Sequence, residues 1–293
     1  MHIIEKRGEG WYSHRQDLER TMTDKTRAFA MTLDLEKDFS GALVDADTIL
    51  RSHAHITQLL ELLRAEEVKL SVFVVGELLK EYSDVIGLFQ QYDCEFHCHS
   101  FSHRSPHSNA EEDVRRCRDA FIDHFQSAPL GYRAPDGRIN SEGIQNLEKY
   151  GFKFDSSFFP SYYPNPAKYL FKTRKPHRLK GTRLLELPNT SFSPLRIMLS
   201  ISYVKMLGMA GFRRLLRVSS LPEVVVFGSH LHDFFADEDM LQQLPRVWKL
   251  IYSRNAEKGM EYLTDTLRYF RGQGYRFEYM SEMSTRYRTK LDL

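Results

Sequence analysis

Cysteine is scarce in this 293-residue chain: Cys94, Cys98 and Cys117 are the whole complement, an odd number without a regular framework. That excludes a disulfide scaffold and fits reduced thiols in a cytosolic protein. No stretch reaches the roughly 18 consecutive apolar residues of a membrane-spanning helix. The amino-terminal "MHIIEKRGEGWYSHRQDLER" has no apolar core of the signal-peptide kind. Charge of one sign is missing too, since 41 Lys and Arg face 39 Asp and Glu for a net charge of +2. No nucleic-acid footprint or acidic tail is therefore implied. Internal repeats, low-complexity tracts and linkers are absent, so a single domain over residues 1–293 is expected. Within it, 1–26 reads as a polar extension and 191–220 as an apolar and basic insertion. The expected location is the cytoplasm, with the inner membrane surface as an alternative, and the sequon-like Asn189-Thr190-Ser191 is then chance.

What is present is a repeated alternation of short apolar runs and amphipathic stretches. "RAFAMTLDLE" from Arg27 reads as a buried strand that delivers Asp34 to its carboxyl end. Ile49, Leu50, Ile56, Leu59, Leu60 and Leu63 then recur at helical spacing, with Asp45 or Asp47 as N-cap. "KLSVFVVGE" is a second strand, the segment from Leu78 to Tyr92 a helix, and "DCEFH" a third strand leading into "CHSFSHRSPH". The pattern continues through a helix at 111–125, "PLGYRAP", a helix opened by Ser141, "KFDSS", "TRLLELP", "EVVVFGSHLHD" and "GYRFEYM", with a helix near 257–271 before the last. Such alternation predicts a mostly parallel sheet, closed or open, with helices outside and chemistry at the carboxyl ends of strands.

The residues at those ends are Asp34 and Glu36, then His97, His99 and His103, Arg133 and Asp136, Asp155, and finally His230, His232 and Asp233. Carboxylates and imidazoles of this kind suit a divalent metal together with an acid and a base. His99 and His103, four apart, can turn toward one ion if the segment forms a helical turn. His97 reads as packing and His107 as solvated loop.

In their order along the chain these groups resemble the polysaccharide deacetylase family, carbohydrate esterase family 4, also called the NodB homology domain. The resemblance runs from Thr32 to about Asp233, with "LRYFRGQGYRFEYMSEM" similar to that domain's closing helix and strand. It implies an α/β fold, a distorted (β/α) barrel. The family's T-F-D-D stands here as Thr32-Leu33-Asp34-Leu35-Glu36. Asp34 is then the general base and Glu36 a metal ligand in place of the missing second Asp, with Asp38 as the alternative. His99-Ser100-Phe101-Ser102-His103 meets H-[ST]-x-x-H and supplies two further ligands. Arg133-Ala134-Pro135-Asp136-Gly137 matches R-x-P-x-G, so that Arg133 holds the base while Pro135 and Asp136 form the substrate and oxyanion contact. Asp155 corresponds to the acid that orients the catalytic histidine, with Phe158 or Phe159 as a pocket wall or as core. His230 is the general acid, with His232 its rival.

The implied activity is metal-dependent removal of an N-acyl group from a sugar, with zinc first and cobalt, manganese, nickel or iron as alternatives. A deformylase of a lipid-linked amino sugar and a silent carbohydrate-binding protein on the same scaffold are the competing expectations. Residues 191–220 are rich in Leu, Ile and Met and carry Arg196, Lys205, Arg213, Arg214 and Arg217 with almost no acid. That composition suits peripheral membrane contact or a groove for a lipid-phosphate carrier, and equally a packed helix with a basic edge. The expected partner is an acylated sugar, nucleotide- or lipid-linked, in surface polysaccharide assembly.

Overall fold

The computed structural model describes residues 27–39, 43, 47–103, 109–162, 170–192 and 195–293. Asp45, His107 and the 1–26 extension lie outside these residues. The framework is a curled, mostly parallel α/β half-barrel. Its strands are β1 (Ala28–Leu35), β2 (Leu70–Val74), β3 (Glu95–Cys98), β4 (Gly131–Tyr132), β5 (Phe154–Asp155), β6 (His177–Arg178), β7 (Leu185–Glu186), β10 (Val224–His230) and β11 (Arg276–Phe277), and a separate hairpin pairs β8 (Ser191–Phe192) with β9 (Ile197–Met198). The sheet runs β10-β1-β2-β3-β4-β5-β7-β6, parallel until β6 turns back on β7, and β11 adds to the start of β1. Helices α1 (His53–Ala65), α2 (Leu78–Glu81), α3 (Ser83–Gln90), α4 (Glu111–Phe125), α5 (Ser141–Lys149), α6 (Ile201–Val218), α7 (Glu238–Gln243), α8 (Arg246–Ser253), α9 (Gly259–Gly272) and α10 (Met280–Leu291) complete it.

Period-two alternation explains how this frame aims its chemistry. Every residue of β1 is buried, as expected for a parallel strand covered on both faces. Phe29, Met31, Leu33 and Leu35 join the large core beneath the helices, while Ala28 and Ala30 face a smaller cluster with Phe73, Phe154, Leu185, Val224 and Val226. Met280 and Met283 of α10 belong to that smaller cluster. Continuing the alternation puts Thr32 and Asp34 on the same side as Ala28 and Ala30, and the partner strand does the same with Val224, Val226, Gly228 and His230. Asp34 and His230 are direct register partners.

Three local expectations change. The first helix begins at His53 with Ser52 Oγ accepting from the His55 N–H, and Ile49 and Leu50 lie in the preceding turn. Asp47 is no cap, because its carboxylate is taken by the Tyr82 hydroxyl at 2.5 Å and Arg51 at 2.6 Å. The stretch from Leu78 to Tyr92 breaks in two at Tyr82, whose φ of −126° leaves the helical region. Asn140, one residue before Ser141, caps α5 by accepting the Gly143 N–H. The 191–220 segment forms the β8–β9 hairpin and α6, which kinks at Gly208 with φ 70° and buries Ile201, Val204, Phe212, Leu215 and Leu216. None of the described helices is long and apolar enough to cross a membrane.

Glu95 fastens α10 to the sheet by accepting from Ser71 Oγ, His97 and the Ser281 N–H. Burial alone would raise this carboxyl, but His97, Ser281 and Ser71 hold it at about 2. Its folded value is below the unfolded value of about 4.3, so its contribution is complete above that pH and is lost as pH falls toward 2. Urea titrations across pH are expected to show wild-type stability falling between about pH 5 and 2, with a shallower fall in Glu95→Gln. Identical slopes in the two proteins would refute this role.

Candidate active site

Two imidazoles and one carboxylate converge above the inner face. His99 follows β3 and extends its ladder, donating its backbone N–H to Val74 O at 2.9 Å. The expected helical turn from His99 to His103 is replaced by a tighter one, with φ of 62° at Ser100 and 55° at His103. Ser100 Oγ accepts the His103 N–H at 2.9 Å, and Asp113 of α4 accepts from Phe101 N and Ser102 Oγ. The serine of the motif thus closes the loop that carries the second histidine. Glu36, His99 and His103 present ligand atoms within 4.8 Å of one another.

The outward nitrogens of these rings fix which nitrogen faces inward. His99 Nδ1 lies 2.8 Å from Arg133 O, and His103 Nδ1 lies 2.6 Å from Asp38 Oδ2. Both therefore turn Nε2 to Glu36, at 3.7 Å and 3.0 Å. Ligating histidines characteristically rest their second nitrogen on a carbonyl or carboxylate in this way. The donor set of one carboxylate and two imidazoles fits a divalent metal with positions left open for substrate. Glu36 is the ligand candidate of this geometry, and Asp38 is the group behind His103. Burial would raise Glu36, but His103 and His230 bring it well below the ordinary carboxylate range. His103 is raised well above the ordinary imidazole range because Glu36 and Asp38 outweigh its burial.

Beside this trio Arg133, with no exposed surface, donates to Asp34 Oδ1 at 2.6 Å, Thr32 Oγ1 at 3.0 Å, Ser156 Oγ at 3.0 Å and Ser156 O at 3.2 Å. Its guanidinium also stacks 3.9 Å from the Phe73 ring centroid. With Oδ1 so engaged, Asp34 turns Oδ2 between His99 Nε2 at 4.0 Å and His230 Nε2 at 3.9 Å. Pro135 is buried and starts the turn, whereas Ala134 and Asp136 line the cavity. Burial raises the Asp136 carboxyl. Gly137 sits at φ 61°, where an added Cβ would fall 2.2 Å from the Phe159 ring, which is why this motif needs glycine.

The orienting acid is a correction. Asp155 accepts from Ser157 Oγ at 2.5 Å and is paired with Glu186. Burial pushes Asp155 up to about 6 and, with Asp155 beside it, Glu186 well above its ordinary value. Asp155 Oδ2 and Glu186 Oε2 are buried without a donor among the described residues, and the burial that raises both acids disfavours two charges there. Asp155 is on β5, and β1 to β4 separate that strand from β10 in the sheet order. Asp233, three residues beyond His230, does the expected work: its Oδ2 lies 3.4 Å from His230 Nδ1 and accepts the His230 N–H at 2.9 Å. Ser202 Oγ and Lys205 Nζ of α6 secure Asp233 at its Oδ1 and backbone oxygen, 2.6 Å and 3.0 Å away.

His230 and His232 diverge in their electrostatics. Burial would lower His230, but Glu36 and Asp233 raise it to about 9. His232 is brought down to about 3 by burial and by His230, on which it stacks at 4.8 Å, and its other face covers Phe39. His232 thus serves as packing. His97 lies between Phe73 and Phe154, bonded to Glu95, apart from the trio.

These groups open on a cavity of roughly 370 Å³. Its far wall is Met198, Tyr203, Met206, Trp248, Ile251 and Tyr252, contributed by β9, α6 and α8. Phe159 lines it, whereas Phe158 is buried core. The polysaccharide deacetylase profile matches residues 35–154. The NodB-type fold is shared with a Mycobacterium smegmatis protein assigned as a polysaccharide deacetylase, at TM-score 0.60, 17% identity, and coverage of 92% of this chain and 93% of that one. Puue allantoinase is similar in fold at TM-score 0.59 and 13% identity, covering 91% and 92% of the two chains. A family 4 pseudoenzyme from Bacillus anthracis aligns at TM-score 0.52 and 10% identity, covering 88% and 66%. Among curated proteins no sequence match is found.

Sequence reasoning overlooked Asp233 as the partner of His230, although it stands in the same "HLHD" run, where spacing of three on one turn was the available signal. Glu186, Ser202, Lys205 and the aromatic wall carried no local signal. Calorimetric titration with zinc is expected to find one strong site, lost in Glu36→Gln and weakened about 10–100-fold in Asp38→Asn. Loss in Asp38→Asn with retention in Glu36→Gln would reverse the assignment.

Proposed function

We propose that the protein is a metal-dependent amide hydrolase that removes an N-acyl group, acetyl first, from an amino sugar during surface polysaccharide assembly. One observation carries this reading: two buried ion pairs, Arg133 with Asp34 and Asp233 with His230, flank the Glu36, His99 and His103 trio from either side. A carboxylate oriented by a guanidinium and a histidine raised to about 9, both facing one cavity, suit amide cleavage.

A divalent ion on the trio, zinc first, would polarise the acyl carbonyl and acidify a water. Asp34 Oδ2 takes a proton from the attacking water as its oxygen bonds to the acyl carbon. The Asp136 backbone N–H faces the oxygen where charge accumulates, a stabilisation of about 3 kcal/mol for a well-placed donor. His230 then gives its proton to the nitrogen as the carbon–nitrogen bond breaks, so the products are a carboxylic acid and a free amine. Arg133 holds Asp34 by its Oδ1 and so leaves Oδ2 turned to the water. Trp248 and Tyr252 offer the aromatic surface on which the apolar face of a sugar ring packs. The deformylase reading uses the same groups and a smaller acyl.

With zinc-loaded protein and N-acetylated or N-formylated amino sugars, free, nucleotide-linked and lipid-linked, acetate is the expected product. Asp34→Asn and Asp233→Asn are each expected to lower kcat by about 10²–10⁴-fold. Formate alone would favour the deformylase. Stoichiometric metal without turnover of any acylated sugar would leave only the silent binding protein.

A further inference from the structure

A second cavity, of roughly 700 Å³, lies at the other end of the barrel. Val224, which starts β10, lines it, whereas His230, which ends that strand, is in the active site. The six residue steps between them span about 20 Å. Lys172, Arg174, Lys175, Arg196 and Lys290 line this cavity against the single carboxylate of Glu223. Among the described residues none of the five cations has a carboxylate within 4.0 Å. Among the described residues Arg174 and Arg196 reach backbone oxygens, those of Ser191 and Lys172, while Lys172 and Lys290 lie over the Phe158 and Tyr287 rings. Burial and the charge of Arg196 lower the Arg174 guanidinium. Folding gains nothing from gathering like charges around a void, so an anion is the missing partner.

The rim identifies the kind of anion. Phe171 and Leu291 belong to the lining and are 88% and 38% exposed. Leu195, beside Arg196, and Val218, two residues before the lining Ser220, are 52% and 75% exposed. Two of the seven exposed large hydrophobic residues among those described therefore line one basic cavity, and two more lie within two residues of its lining in the sequence. A soluble anion needs only the cations. Apolar side chains standing in water around them suit a surface where acyl chains begin just beyond the charged groups. We propose that this cavity seats the phosphate of an anionic phospholipid headgroup and docks the protein peripherally on a membrane.

The test is flotation of the full chain with vesicles of phosphatidylcholine containing roughly one-third phosphatidylglycerol, against phosphatidylcholine alone. Binding to the former only is expected, weakened more than about tenfold in Arg174→Gln/Arg196→Gln and in the exposed pair Lys175→Gln/Lys290→Gln. Phe171→Ser is expected to weaken it as well, and hydrolysis of a soluble substrate is expected to be unchanged in all three. Equal binding to neutral vesicles, or binding unaffected by both charge variants, would overturn the proposal. So would calorimetric binding of inorganic pyrophosphate without vesicle binding, which would make this a site for a soluble anion.

Discussion

The Arg133–Asp34 ion pair is the contact on which the remaining structure is arranged. Burying a guanidinium completely costs several kcal/mol unless its donors are met, and a buried pair that loses one member costs about 3–5 kcal/mol. Here the donors are met by four acceptor atoms from two places along the chain, Asp34 and Thr32 on β1 and the carbonyl and hydroxyl of Ser156 beyond β5, with the Phe73 ring of β2 beneath. The Arg133 carbonyl also receives His99 Nδ1. One side chain and its own backbone thereby register the base, a metal-facing imidazole and the strand ends that carry them.

Charge balance explains the rest of the site. Asp34, Glu36, Asp38 and Asp233 bring four carboxylates into a small volume, against Arg133 and those histidines that remain protonated. Glu36 is lowered mainly by His103 and His230, and both rings are raised in return. The trio is thus an ion-pair cluster in which a divalent cation would replace imidazole protons. Behind Arg133, burial raises both Asp155 and Glu186, which works against a second full negative charge there.

Much of this was legible in the chain because strands and motif loops are local. The continuous apolar run of β1 and the alternation of β10 set Asp34 and His230 on one face without reference to anything distant. His99 and His103 are fixed by a five-residue loop whose serine is part of the pattern. The orienting acid was misread because it was sought at a strand end, Asp155, when a single turn after β10 brings Asp233 to His230 from within the same element. Helix boundaries slipped where side chains had stronger partners elsewhere, as with Asp47 and Tyr82. The apolar wall was illegible for another reason: Tyr203, Trp248 and Tyr252 look like ordinary amphipathic-helix residues, and only the packing of α6 and α8 over the sheet turns them toward the cavity.

Helix α6 contributes to the site twice. Tyr203 and Met206 shape the wall that a substrate meets, and Ser202 and Lys205, on either side of Tyr203, hold the acid that steadies His230. In the proposed reaction, substrate choice and proton delivery would therefore fall to the same turn of helix. A side-chain change in this wall thus falls beside the contacts that hold Asp233.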